Sequence, residues 1–203
     1  MAEQVMSANW LNPVQLNGQH IRLEPLSLEH ISGLQQAAKD GELWNLWFTT
    51  VPHPDDTQAY IEKALKQQQQ GTAIPFAIVD KTTDQIIGST RICNAVPEHK
   101  RVEIGYTWYA KSFQRTAANT EAKLLLLSHV FETLNCIAVE FRTNWHNTKS
   151  RNAIARLGAK QDAVLRNHQI LKDGTLRDTV VFSIINSEWL SVKKSLVFKL
   201  SGV

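Results

Sequence analysis

Residues 101–158 read RVEIGYTWYAKSFQRTAANTEAKLLLLSHVFETLNCIAVEFRTNWHNTKSRNAIARLG, and the fold turns on this stretch. A β-rich run over 101–109 ends in a loop of small and polar residues that carries Arg115. A strongly apolar helix follows, starting at Asn119 or a near neighbour. Its Leu124, Leu127, Val130, Phe131 and Leu134 spread over a wide arc, as in a helix lying on a sheet. A second β-rich run, 137–143, leads to a short helix, 148–157, stopped by Gly158 as a C′ residue. A strand feeding a loop at a helix N-terminus is a ready anion site, because the first helical N–H groups lack partners within the helix.

Upstream, residues 1–18 carry Asn, Pro and Gly breakers and read as a tail. Residues 20–26 alternate, with Ile21 and Leu23 against Arg22 and Glu24, and predict a strand. Ser27 is a good N-cap for a helix with Leu28, Ile31 and Leu34 on one face, ending near Gly41. The loop 41–56 holds three large aromatics, Trp44, Trp47 and Phe48. Asp55 with Gln58 resembles a capping box and opens a helix that runs through Gln67–Gln70 to Gly71. Residues 76–79 and 86–92 form a hairpin around DKTTD. Downstream, 164–171 and 179–185 form another around Lys172, Asp173 and Gly174, and 188–200 is amphipathic. The order β–α–α–β–β–β–α–β–α–β–β predicts one domain, α/β or α+β, with a mixed central sheet and helices on both faces.

With 203 residues, 43% apolar and 20% charged, the chain is ordinary for one globular domain with a substantial core. A net charge of +3 and the lack of a long basic run argue against nucleic acid. Cys93 and Cys136 lie in apolar runs and read as buried free thiols of a reducing compartment. The seven histidines are scattered and no Cys/His cluster has metal-ligand spacing, so no metal is expected. The first residues, MAEQVMSANWLNP, lack a basic and then apolar leader, and no run approaches a membrane span. A cytoplasmic protein without membrane attachment is the expectation.

Four pieces of the chain resemble the GCN5-related N-acetyltransferase (GNAT) family, and within it the branch of ribosomal-protein N-terminal acetyltransferases. They are VEIGYTWY at 102–109, QRTAANTE at 114–121, Asn147 and Ser150 followed by IARLGA at 154–159, and a tail of LR at 165–166, GTLRD at 174–178, FSI at 182–184 and EW at 188–189. The resemblance covers about 16–190, leaving 1–15 as an N-terminal tail and 191–203 as a C-terminal tail or helix. It implies acetyl-CoA as cosubstrate and transfer of its acetyl group to a primary amine, at a protein N-terminus or on a small molecule. Backbone donors at Thr107, Trp108 and Tyr109 would hold the acetyl and pantetheine groups. The loop Gln114, Arg115, Thr116, Ala117, Ala118 and Asn119 would cradle the pyrophosphate, and Asn147 would bond the pantetheine. Ala117 and Asn119 stand where the family has glycine or another small residue. If positive φ is needed there, Ala117 costs about 1 kcal/mol.

Acetyl transfer from a thioester requires a deprotonated amine, a stabilised carbonyl oxygen and a leaving thiolate. By the resemblance, Glu103 is the general base and Ser150 bonds the departing sulfur. Plainer readings exist beside these: Glu103 as a charge paired to Arg101 or Arg142, Ser150 as a helix-start cap. Of the two nearby tyrosines, Tyr106 reads as core and Tyr109 as the one reaching the site. Trp44, Trp47, Phe48 and His168 would wall the acceptor side by analogy. The apolar end at 197–200 suits either a homodimer contact or a fold-back onto the sheet. Two other classes compete with the enzyme. A non-enzymatic acyl-CoA-binding module is motivated by the altered loop. A dinucleotide enzyme is disfavoured by the missing Gly-x-Gly-x-x-Gly fingerprint.

Overall fold

The computed structural model describes residues 10–202. Residues 1–9, the greater part of the expected N-terminal tail, lie outside the described residues. The rest of that segment is packed down: Trp10 donates to the Leu134 carbonyl at 3.2 Å and Leu11 is buried. A two-residue strand that the sequence reading lacks, β1 (Leu16–Asn17), adds an edge to the sheet.

The chain continues with β2 (Ile21–Pro25), α1 (Ile31–Lys39), α2 (Thr57–Gln69), β3 (Ile74–Asp80), β4 (Ile86–Val96) and β5 (Arg101–Tyr109). Then come α3 (Ala117–Ser128), β6 (Ala138–Asn144), α4 (Thr148–Arg156), β7 (Lys160–Ile170), β8 (Leu176–Ile185) and α5 (Trp189–Leu200). The eight strands form one mixed sheet in the order β1-β2-β3-β4-β5-β6-β8-β7. Every neighbouring pair is antiparallel except β5 and β6. This is a single-domain α/β fold of the predicted class.

Two apolar layers sandwich the sheet. The larger joins Val102, Ile104 and Phe141 to Ala122 and Leu126 of α3 and Trp189 of α5. The smaller joins Ala77 and Trp108 to Leu34 of α1 and Ile61 of α2. β3 runs between both layers, so its residues from Ile74 to Val79 are all buried, and the run reads as continuous rather than alternating. In α5, Trp189, Val192 and Leu196 face the core, while Leu190, Val197 and Phe198 stay exposed.

Local chemistry departs from the sequence reading at the start of α2. The expected Asp55–Gln58 capping box does not form. Pro54–Asp56 is instead a 3-10 turn whose N-cap is His53, and α2 begins at Thr57. The central helix α3 begins at Ala117, two residues before Asn119, and its last turn widens into a π-helical turn at His129–Thr133.

Candidate active site

β5 and β6 are paired only from Arg101↔Ala138 to Glu103↔Glu140, and beyond that point they diverge. On its other edge β5 stays paired to β4 but carries an irregularity between Arg91↔Gly105 and Ser89↔Trp108. The extra residue there is Tyr106, at φ +53°. A β-bulge of this kind bends the strand and re-aims its backbone groups. The edge of β5 facing β6 thus has no strand partner past Glu103 among the described residues.

A pocket of about 620 Å³ fills the resulting gap. Gly105, Thr107 and Asn144 form its strand walls, Asn119 and Lys123 of α3 its floor, and Phe48 part of its roof. Strand register shows that it crosses the sheet. Val180 and Phe182 point into the larger core, so Val181 and its partner Arg142 point to the opposite face. Lys123 belongs to α3 on the core side, while Arg142 and Arg177 line the same pocket from the other side.

At the α3 end, the loop departs from the expected strain pattern. Positive φ falls on Arg115 (φ +64°), not on Ala117 or Asn119, which lie inside the first turn of the helix. Alanine therefore costs nothing in backbone strain at 117. Thr116 is the N-cap, its hydroxyl accepting from Ala118 N–H at 3.3 Å and donating to the Phe113 carbonyl at 2.8 Å. Gln114, Arg115 and Asn119 line the pocket, whereas Thr116 and Ala117 are exposed beside it and Ala118 is buried. Free N–H groups at a helix start, with a guanidinium beside them, suit a pyrophosphate.

At the α4 end, Asn147 is the N-cap, its Oδ1 accepting from Ser150 N–H at 3.0 Å. Its amide nitrogen is left for a ligand. Both residues line the pocket, and the Ser150 hydroxyl makes no hydrogen bond among the described residues.

Glu103 is 8% exposed and sits just behind the pocket wall rather than on it. Asn94, on a left-handed kink of β4, donates to its Oε2 at 2.8 Å, and Arg142 Nε stands 3.6 Å from the same oxygen. Burial nevertheless wins over these partners and raises the carboxyl above its ordinary range. Gly105 presses against its other oxygen: a Cβ there would lie 2.9 Å from Glu103 Oε1.

Trp108 and Tyr109 line the pocket through β5 while their rings are buried on opposite sides of the sheet. The Tyr109 hydroxyl is enclosed without a partner, and burial drives its pKa far up. The tyrosine roles are thus reversed. Tyr106, expected in the core, is 36% exposed and lies over the buried Arg91 guanidinium, 4.2 Å from its ring centroid.

The aromatic loop divides. Phe48 lines the pocket, and Trp47 packs on His146 with ring centroids 5.3 Å apart. Trp44 turns to His53 and the smaller core, away from the pocket. His168 bonds Thr179 Oγ1 at 3.1 Å and is not part of the lining either. The aromatic placements depend on loop packing, and that of His168 on the β7–β8 pairing, neither of which a local pattern encodes.

Lys123, Arg142 and Arg177 have no functional place in the sequence reading. Lys123 is 5% exposed and donates to Thr107 Oγ1 at 2.7 Å. Burial brings its pKa down to about 7. The signal was available: a single lysine beside the apolar run 124–127 must either reach water or be buried with a purpose. Cys93 and Cys136 are free and buried, and burial raises both thiols, Cys136 to about 12.

Comparison with known proteins adds to this geometry. Residues 20–160 match the model of an acetyltransferase (GNAT) domain. An uncharacterized N-acetyltransferase, p20 of Bacillus licheniformis, is 28% identical over 84% of this chain and 96% of its own. A solved GCN5-related N-acetyltransferase from Brucella melitensis superposes with a TM-score of 0.81 at 27% identity, covering 92% of this chain and 85% of that one. The fold is also that of RimL, a ribosomal L7/L12 α-N-protein acetyltransferase solved with coenzyme A. That likeness has a TM-score of 0.72 at 16% identity over 85% of this chain and 98% of that one.

Proposed function

Since the chain belongs to the GNAT acetyltransferase family, we propose that it moves the acetyl group of acetyl-CoA onto a primary amine by direct attack in a ternary complex. The observation that carries this is the gap between β5 and β6, walled by an unpaired strand edge and closed at one end by the N-terminus of α3. That arrangement suits a narrow acyl-pantetheine arm ending in a diphosphate.

Backbone N–H groups at 107–109 donate to the thioester oxygen and stabilise the charge that develops on it. Arg115 and the first turn of α3 take the pyrophosphate, with Gln114 beside them, and Asn147 bonds the pantetheine through its free amide nitrogen. Glu103, set one layer behind Gly105, takes the ammonium proton through a water, its raised pKa bringing it nearer to that task. Ser150 donates to the sulfur as the C–S bond breaks. The acceptor enters over Phe48 and Trp47 as an α-amine or small primary amine. Solved relatives with coenzyme A, and a microcin C7 self-immunity acetyltransferase with acetyl-CoA and AMP, support the choice of cosubstrate. Two reduced, buried thiols suit the cytoplasm.

Calorimetric titration with acetyl-CoA and with CoA tests the reading, followed by thiol release in the presence of amines. Saturable binding with amine-dependent thiol release is expected. Absence of binding at millimolar cosubstrate would overturn it.

A further inference from the structure

The charge lining the pocket is one-sided. Among the described residues its ionisable lining comprises Arg115, Lys123, Arg142, His146, Lys149 and Arg177 besides the tyrosines, with no aspartate or glutamate. Arg115 stands at the start of α3, where the phosphates of the cosubstrate are expected, and Lys149 at the start of α4. Arg142 and Arg177 stand on the opposite face of the sheet, with Phe48 and Tyr106. Both guanidiniums act electrostatically on Glu103, so they converge on the end of the pocket where the amine must lose its proton.

The two arginines are prepared differently. Arg142 is clamped by Glu140, which accepts from its Nε at 3.1 Å and its Nη2 at 2.8 Å, leaving Nη1 without a partner. The Arg177 side chain has no hydrogen bond or ion pair among the described residues, and its Nε is enclosed without an acceptor. Burial disfavours its charged form. This half-desolvated guanidinium feels the Glu103 carboxylate only at a distance and has no anion bonded to it, a costly state that a ligand anion would relieve. Its planar fork matches a carboxylate with two parallel hydrogen bonds. The same pair repels an acceptor whose remaining groups are cationic.

We infer that the acceptor is a primary amine that also carries a carboxylate, with Arg177 as its binding residue and Arg142 as a second, pre-oriented contact. A free amino acid and the N-terminus of an acidic peptide share this chemistry. The inference rests on the acetyl-transfer reading above, since it assigns the other substrate of that site.

The test pairs each acidic amine with its neutral amide: serine with serinamide, and the C-terminally amidated peptide Ser-Asp-Ala-NH2 with Ser-Asn-Ala-NH2, alongside spermidine. Rates are read by thiol release, and acetyl-CoA affinity is measured separately by calorimetry. At least one carboxylate-bearing amine is expected to exceed its amide tenfold or more in kcat/KM, and spermidine to be poorest. Preference for serine marks a small-molecule acceptor; preference for the peptide marks a protein N-terminus. Arg177→Met should abolish the tenfold preference through KM with acetyl-CoA affinity unchanged, and Arg177→Lys should restore part of it. Acetyl-CoA binding with equal or faster turnover of the amides or spermidine, or with turnover of none of the amines, would overturn the inference alone. So would a loss of acetyl-CoA affinity in Arg177→Met, which would assign the arginine to the cosubstrate. Failure of the native protein to bind acetyl-CoA would remove the acetyl-transfer reading first, and this inference with it.

Discussion

Lys123 Nζ donates a 2.7 Å hydrogen bond to Thr107 Oγ1, the side chain that immediately follows the left-handed Tyr106 in β5. Thr107 Oγ1 is in turn 2.7 Å from Thr90 Oγ1 of β4. The bulge that opens the site is therefore fastened from below by a buried amine and from the side by the neighbouring strand. No carboxylate bonds Lys123 among the described residues, and burial brings its pKa down from 10.5 to about 7.

That depression fixes a pH dependence of stability. Between about pH 7 and 10.5 the unfolded chain holds the lysine proton and the folded chain does not. Stability should therefore rise with pH through this window. Thermal melts of the native protein and of Lys123→Met should differ in slope there, the variant being flatter. Equal slopes would show that the amine is not desolvated as described.

Glu103→Gln should reduce acetylation about 10²-fold, the scale of a lost general base, while acetyl-CoA affinity stays the same. Because burial raises the Glu103 pKa, the native rate should fall as pH drops toward that raised value, and this limb should vanish in the variant. A pH–rate profile unchanged by the substitution would exclude Glu103 as base.

Gly105→Ala probes the same carboxylate without removing it. The added Cβ would lie 2.9 Å from Glu103 Oε1, so the flexible carboxyl must give way. The expected result is a lower kcat with a melting temperature close to native. Full activity would mean that the placement of Glu103 does not matter.

Ala117→Gly should not improve acetyl-CoA binding, since 117 is already helical. It should instead cost about 0.5–1 kcal/mol of stability, as glycine does in a helix. Ala117→Ile should weaken binding by obstructing approach to the helix start. Titration calorimetry and urea melts of the two variants separate these effects, and tighter binding by the glycine variant would contradict the loop geometry.

Glu121 is buried and accepts three backbone N–H groups, those of Gln19, His20 and Ile21, so it holds the start of β2 onto α3. Glu121→Ala should leave all three without that acceptor and cost about 3 kcal/mol. Urea denaturation measures the loss, and acetyl-CoA affinity of the folded fraction should be unaltered.

The fold was legible because its signals are local and periodic. β5 spans 101–109, the β-rich run read from the sequence, and α4 starts at Thr148, where the short helix is expected. The site was legible only where motif and backbone coincide. Which loop residue takes positive φ is set by how the chain leaves β5, and it falls on Arg115 rather than at the missing glycine. Tyr106 reads as core, but the bulge breaks the strand's period at that residue and turns its ring onto Arg91. Lys123 sits within a helix dominated by apolar residues, where a lysine is normally read as reaching water along its stem. Its burial exists only because Thr107 and the strand gap lie above it. Arg177 and Arg142 lie 35 residues apart in sequence and meet only through the β6–β8 pairing.

The gap between β5 and β6 passes through the sheet, and this makes the site a passage with two mouths rather than a cul-de-sac. On the proposed function, cosubstrate arriving along α3 and acceptor arriving over Phe48 would not share an entrance, so neither would have to leave before the other loads. The expected kinetic signature is a sequential mechanism without a compulsory order. A molecule that plugs the Arg177 mouth should compete with the amine while leaving the acetyl-CoA concentration dependence noncompetitive, and a plug at the α3 mouth should show the reverse.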